Sequence, residues 1–203
     1  MTFKIIPVAG DASFREFYRI ILNKKKKIIV IAKKDKYKNL LSYIAINKFL
    51  RKNSIFAPKL YSYNYKKSFM IIEDFGDLTF YKILKKNNNK LKIYKKLINL
   101  LIKIQKIKPV KKIKNINNKF HILEKYSNQN LLKESNLFFD WYLPLFLNKK
   151  KTLTIKIKLN KILKKIYKKI HFSNSCFVHR DYHVQNLMQV GKKIGIIDSQ
   201  DAL

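Results

Sequence analysis

A single cysteine, four glycines, four prolines and twelve acidic residues stand against 46 lysines and arginines in this 203-residue chain. One thiol, Cys176, cannot form an internal disulfide and suits a reducing compartment. No apolar stretch approaches the roughly 20 residues that span a bilayer; segments such as Ile28 to Ala32 are far too short. The start, Met1 to Pro7, has neither the long apolar region nor the cleavage site of a signal peptide. A cytoplasmic protein with no membrane segment is therefore expected. Arginine is scarce as well: Arg15, Arg19, Arg51 and Arg180 are all there is, and the other 42 basic residues are lysine. A net charge of +34 ordinarily points to nucleic acid. Yet arginine is the residue that forks onto bases and phosphates. Lysine, isoleucine and asparagine share A/T-rich codons, so a low-GC genome produces this bias without selection for binding. The lysine runs 24–27 and 149–151, and Lys164, Lys165, Lys168 and Lys169, read as solvated turns and helix faces. No specific nucleic-acid partner is expected.

Hydrophobic residues make up 47% of the chain, enough for a core and against disorder. Strand-like segments cover Phe3 to Val8, Arg15 to Leu22 and Lys27 to Lys33, with a hairpin turn at 23–26. Helical spacing of Leu40, Tyr43, Ile44, Phe49 and Leu50 predicts a helix over 39–52, and Pro58 ends the connection after it. Two more strands are expected at 60–64 and 68–73. The segment Asp74-Phe75-Gly76-Asp77 marks a boundary, because it follows a hydrophobic strand and contains a rare glycine. Beyond it the pattern turns helical over 78–86, 90–107, 120–147 and 153–170, with a polar loop at 115–119 and Pro109 as a stop. The division expected is a nucleotide-binding lobe over 1–73, a hinge at 74–77 and a helical lobe over 78–203. Backbone groups of the hinge are expected to meet an adenine edge, so truncating Glu73 or Asp74 should barely change nucleotide affinity.

The rare acids are not scattered. Glu73, Asp74 and Asp77 sit together, only Glu124, Glu134 and Asp140 fall between Leu78 and Arg180, and Asp181, Asp198 and Asp201 close the chain. The last group lies in His179-Arg180-Asp181-Tyr182-His183-Val184-Gln185-Asn186, a short hairpin, then Ile196-Ile197-Asp198. An aspartate, an asparagine five residues on and a second aspartate closing a hydrophobic strand form a phosphoryl-transfer set. One carboxylate, Asp181, meets the hydroxyl being phosphorylated and takes its proton. The amide oxygen of Asn186 and the carboxylate of Asp198 are hard ligands for Mg²⁺ on nucleotide phosphates. His179 braces the loop. A zinc pair of His179 and His183 is disfavoured, because Arg180 replaces the glutamate of the metalloprotease motif and no third ligand clusters nearby. In Ala9 to Arg15, the turn at Gly10, Asp11, Ala12 and Ser13 is either a plain hairpin or a loop whose N–H groups cover phosphates.

Three segments carry a family resemblance: Gly10-Asp11-Ala12-Ser13-Phe14-Arg15 with Tyr18-Arg19, His179-Arg180-Asp181-Tyr182 with Asn186-Leu187-Met188, and Asp198-Ser199-Gln200-Asp201-Ala202. Together they resemble the aminoglycoside/choline phosphotransferase superfamily, most of all the bacterial anomeric kinases of N-acetylmuramate and N-acetylglucosamine. The aromatic stretch Leu137 to Tyr142 is also similar to that subgroup. The resemblance implies an α+β, bilobal protein-kinase-like fold with a small antiparallel sheet and a mainly helical lobe. It implies ATP and Mg²⁺ as cofactors and a small hydroxylated acceptor, a sugar or amino sugar. Asp181 is then catalytic, Asn186 and Asp198 hold the metal, and Gly10, Asp11, Ala12, Ser13, Glu73 and Asp74 contact the nucleotide. Rival readings are a nucleotide-binding remnant of the same fold with weak turnover, and a basic nucleic-acid-binding protein.

The sequence departs from the pattern in three places. Ser199 replaces a phenylalanine and is expected to lose an apolar anchor behind the metal loop. The helix over 39–52 has no acid to pair with a phosphate-binding lysine, and Lys33 and Lys34 are equal candidates for that lysine. The family continues with further helices beyond the last motif, so this chain reads as C-terminally incomplete, with low activity and marginal stability expected. Trp141 either stacks on the acceptor or packs in a core with Leu137, Phe138 and Tyr142; helical spacing favours packing.

Overall fold

The computed structural model describes residues 3–8, 15–33, 38–115, 119–171, 173 and 175–202. Packing divides the chain into two compact units, 1–123 with 176–203 and, separately, 124–175. The first unit opens with β1 (Phe3–Val8), β2 (Arg15–Leu22) and β3 (Lys25–Ala32), followed by α1 (Lys38–Lys52), β4 (Leu60–Asn64) and β5 (Phe69–Glu73). These strands form an antiparallel sheet in the order β1-β2-β3-β5-β4. The β2–β3 turn is tighter than the sequence suggests. Leu22 pairs with Lys25, so only Asn23 and Lys24 connect the strands. Both have positive φ (47° and 65°), which a two-residue turn needs to match strand twist.

Strand alternation decides which side chains face inward. On β3, Ile28, Val30 and Ala32 are buried, and with Met70 and Ile72 of β5 they pack on Leu40, Tyr43 and Ile44 of α1. The opposite side of α1 buries Ala45, Ile46 and Leu50 in a second core, shared with Phe80, Leu97, Leu187 and Ile196. A helix apolar on two sides has a blurred amphipathic pattern but a tightly determined position.

The same unit continues through α2 (Phe80–Lys86) and α3 (Lys90–Gln105), capped by the side chains of Thr79 and Asn89. A small hairpin of β6 (Lys112–Lys114) and β7 (Phe120–Ile122) follows, where a loop and then a helix were expected. Ile113 is the inward residue between two exposed lysines, a period-two pattern only three residues long. The unit closes with β8 (Leu187–Val190) paired to β9 (Lys193–Ile196).

The second unit contains α4 (Asn128–Leu137), a π-helical turn over Phe138–Tyr142, a 3-10 turn over Leu143–Leu145 and α5 (Lys149–Tyr167). The single helix expected over 120–147 is thus interrupted. Ser127 caps α4 at its start, and Pro144 sits in the 3-10 turn. Tyr167 of α5 meets Ser135 of α4 at 2.5 Å, and Asn160 donates to Asn136 at 3.0 Å. Phe139 is the buried aromatic of the π-helical turn, whereas Trp141 is 76% exposed. The core role expected for Trp141 is not observed.

Candidate active site

Two segments close in sequence, separated only by the β8–β9 hairpin, carry the residues expected to be catalytic and metal-binding. After Phe177 enters the core, residues 178–186 run as irregular backbone, and Arg180 takes a left-handed conformation (φ 68°). The loop is cross-linked internally. The Asn186 amide donates to the Asp181 carboxylate at 2.8 Å and to the Asp181 carbonyl at 3.1 Å. On the other side of Asp181, His183 Nε2 lies 3.1 Å from Oδ1. Since Nδ2 of Asn186 points at Asp181, its Oδ1 is directed the other way. Tyr182 ties the loop to α3 by donating to the Leu97 carbonyl at 2.6 Å, and burial pushes its phenol up to about 12. His179 is buried, which pushes its imidazole below its ordinary value.

The β8–β9 hairpin returns the chain to the loop. Ile197 N–H donates to the Asn186 carbonyl at 3.0 Å, so the residue before Asp198 is bonded directly to the residue expected to share its metal. Asp198 itself has positive φ (60°), tolerated by a short polar side chain but uncommon. Its Oδ1 accepts from Arg15 of β2 at 2.8 Å, and Arg15 also donates to Gln200 at 2.7 Å. Ser199 is fully buried and donates to Asn47 of α1 at 2.7 Å. The apolar anchor absent from this position is therefore replaced by a buried hydrogen bond to the helix that lacks acids. A pairing of this kind fastens the turn at Asp198 and Ser199 to α1 without an ion pair.

At 74–77 the chain leaves the sheet. Gly76 adopts φ 78°, and its N–H is capped by Asp74 at 2.8 Å. Arg19 of β2 grips this segment with both edges of its guanidinium: Nε and Nη2 reach Asp74 at 2.5 and 3.0 Å, and Nη1 and Nη2 reach Asp77 at 2.9 and 3.0 Å. The guanidinium holds the Asp77 carboxyl below its usual range. Glu73 accepts from Lys59 N–H at 3.1 Å and lies 3.5 Å from Arg51. Both acids thus have structural partners. For Asp74, whose side chain is only 3% exposed, the expectation that truncation is silent does not fit the geometry, because truncation would release Arg19.

A cavity of about 400 Å³ brings these parts together. Val8, Phe17, Ile28 and Ile72 of the sheet face Met188 and Ile197 of the hairpin region across it, making an apolar slot. Glu73 to Asp77 form one end, and Asn186 and Asp198 also line it. Asp181 reaches this group through its bond to Asn186. Gly10, Asp11, Ala12 and Ser13 lie outside the described residues, as does Lys34. Lys33 is exposed and does not line the cavity. The slot residues and Arg15 escaped sequence reasoning; strand alternation around β2 and β3 was the available signal.

The donor chemistry fits a magnesium–nucleotide complex. Among the described residues no three His, Cys, Asp or Glu side chains converge as a self-sufficient metal site. Mg²⁺ that keeps waters and phosphate oxygens needs only one or two protein oxygens, and Asn186 and Asp198 offer oxygens of that kind on one cavity.

Residues 4–203 match the phosphotransferase enzyme family. The chain is similar to the N-acetylmuramate/N-acetylglucosamine kinase of Pseudomonas aeruginosa, 24% identical over 200 residues, and to that of Neisseria meningitidis serogroup B, 21% over 204. These alignments cover 98% and 99% of this chain but 56% and 58% of those proteins, so the chain spans a little over half the length of the curated relatives. Among solved structures it is similar to a gentamicin-APH(2")-IIa complex (TM-score 0.63, 15% identity, 98% of this chain and 65% of that one). It is also similar to choline kinase LicA from Streptococcus pneumoniae (TM-score 0.62, 12% identity, 98% and 63%). At such identities the likeness shows the fold, which is α+β and protein-kinase-like, as the motifs implied.

Proposed function

Because the chain belongs to the phosphotransferase enzyme family, we propose that it binds Mg-ATP in this cavity and directs the γ-phosphoryl group to a hydroxyl of a sugar or amino sugar. The observation that carries the reading is the meeting of Asn186, Asp198 and the segment 73–77 on one cavity, with Asp181 bonded to Asn186. On this reading the nucleotide lobe is 1–73, the hinge is 74–77 and the helical lobe is 78–203. Adenine occupies the apolar slot, with backbone groups of the hinge at its edge. The loop at Gly10 to Ser13 covers the phosphates. Asn186 and Asp198 hold Mg²⁺, which when bound neutralises charge on the phosphates. Asp181 orients the acceptor hydroxyl and receives its proton, and the Asn186 amide fixes the direction of its carboxylate. The sugar class follows from what the named relatives phosphorylate. No described helix is long and apolar enough to cross a membrane; a cytoplasmic site of action is part of this reading, because that is where ATP is available.

The test is nucleotide consumption by the purified chain with N-acetylglucosamine or N-acetylmuramate as acceptor. Replacing Asp198 by Ala, or Asp181 by Ala, should lower turnover by roughly a thousandfold or more, as expected when several kcal/mol of transition-state stabilisation is removed. Unchanged turnover in Asp198→Ala would falsify the metal assignment, and unchanged turnover in Asp181→Ala removes the base.

A further inference from the structure

We propose that Arg15 of β2, in place of a lysine on β3, is the cation that grips the phosphates of the bound nucleotide. The inference rests on the nucleotide reading above and adds a residue to it. The inward positions of β3 carry no cation: they are Ile28, Val30 and Ala32, all buried. Lys27 points elsewhere, its ammonium 4.8 Å from the ring of Tyr61, and Lys33 lies off the cavity. Among the described residues, the cations that do line the cavity are Arg15, Arg19 and Lys82. Arg19 is committed to Asp74 and Asp77, and Lys82 donates to the Asp77 carbonyl at 3.0 Å. Both therefore belong to the hinge end. Arg15 stands at the other end, on the carboxylate assigned to the metal.

Its surroundings suit the task. The Arg15 side chain is only 5% exposed, and its guanidinium carbon lies 5.6 Å from the Phe17 ring and 5.9 Å from the Tyr43 ring. Aromatic faces on the guanidinium and the bond to Gln200 fix the fork before any ligand arrives, so little freedom remains to be lost on binding. Two parallel N–H groups match phosphate oxygens, which a lysine ammonium meets only as a point charge. The Asp198 partner is 36% exposed and lines the cavity, so on this reading it is shared between roles. With Mg²⁺ bound, Asp198 would share its negative charge with the ion, and the Arg15 Nη2 that now donates to Asp198 would be available, with little reorientation, to the nucleotide phosphates.

Calorimetric titration of the 203-residue chain with Mg-ATP and, separately, with adenosine distinguishes this role from a structural one. Arg15→Met should weaken Mg-ATP binding about 10- to 100-fold, as for loss of charge-assisted hydrogen bonds, while adenosine affinity holds. Arg15→Lys should fall between, keeping the charge and losing the fork. Equal loss for both ligands, or no loss for either, overturns the assignment. If Arg15→Met fails to fold by circular dichroism, Arg15→Lys decides by the same comparison: a loss confined to Mg-ATP supports the role and a parallel loss rejects it. Failure of the unaltered chain to bind Mg-ATP would instead remove the nucleotide reading itself. Binding that survives Arg15→Met removes Arg15 alone.

Discussion

Three of the four arginines spend their charge on the few carboxylates of the site. Arg15 pairs with Asp198, Arg19 with Asp74 and Asp77, and Arg51 approaches Glu73 at 3.5 Å. Side chains suited to fork geometry sit at the 73–77 segment and at Asp198, against a background of 42 lysines. His179 should give the stability of the chain a pH dependence. It is 3% exposed, and burial holds its imidazole below the ordinary 6.5; Asp181 and Asp198 pull the other way, and His183 adds slightly to the lowering. A folded value below the unfolded one means that the unfolded chain binds the proton first. The stability this gives is present above the unfolded value and is lost as pH falls through the folded one. Melting temperature should therefore drop between about pH 7.5 and 5.5 more steeply in the unaltered chain than in His179→Phe, which keeps a buried ring without the proton. Parallel slopes would show that His179 does not titrate against folding. The grouping of Asp181, Asn186 and Asp198 was readable because their spacing is local. The partners of Arg15 and Arg19 were not, since they lie 183 and 55 residues away. The rarity of these arginines and their place in the first resembling segment singled them out, but neither named their partners.

Elements were legible in proportion to how long their pattern runs. Strands β1, β2 and β4 fall where alternation and turn residues placed them, and α1 differs by one residue. The β6–β7 hairpin was hidden because three-residue strands show one inward side chain each, too few to establish a period. The interrupted helix over 120–147 carried visible signals, Ser127 as a cap and Pro144 as a stop, which apolar spacing outweighed. A different kind of constraint acts at β9. A Cβ built on Gly195 would lie 2.5 Å from the Phe75 ring, and that ring is stacked on Phe56 at 4.7 Å between centroids. The hairpin therefore presses bare backbone against the segment that leaves the sheet, and Phe75, 7% exposed, has little room to yield. Gly195→Ala should destabilise the chain by about 1–3 kcal/mol in denaturant unfolding, the usual range for overpacking. Pairing it with Phe75→Val should recover part of the loss, as coupling between touching residues requires. An additive double variant would mean that the contact is relieved by another route.

For the whole molecule, two surface properties oppose each other. A charge of +34 on 203 residues disfavours compaction by self-repulsion and also keeps copies of the chain apart. Helix α3 meanwhile exposes an apolar stripe, Leu91, Tyr94, Ile98 and Ile102, with Leu91 67% and Ile98 52% accessible. Those positions follow helical spacing, so the side chains form a continuous band of the kind that drives association. Salt separates the two effects. Going from about 0.01 M to about 0.1 M shortens the screening length from about 30 Å to about 10 Å, which weakens lysine repulsion both within and between chains. Melting temperature should therefore rise over that range, while sedimentation or light scattering shows self-association growing in parallel. Replacing Leu91 and Ile98 together by Glu should suppress the association and leave the salt-dependent gain in melting temperature in place. These side chains contribute little to the core, and the loss of two apolar groups is accompanied by two negative charges on a strongly positive surface. A melting temperature indifferent to salt would show that the lysines are too well solvated for self-repulsion to matter. Association unchanged by the double substitution would place the sticky surface elsewhere than α3.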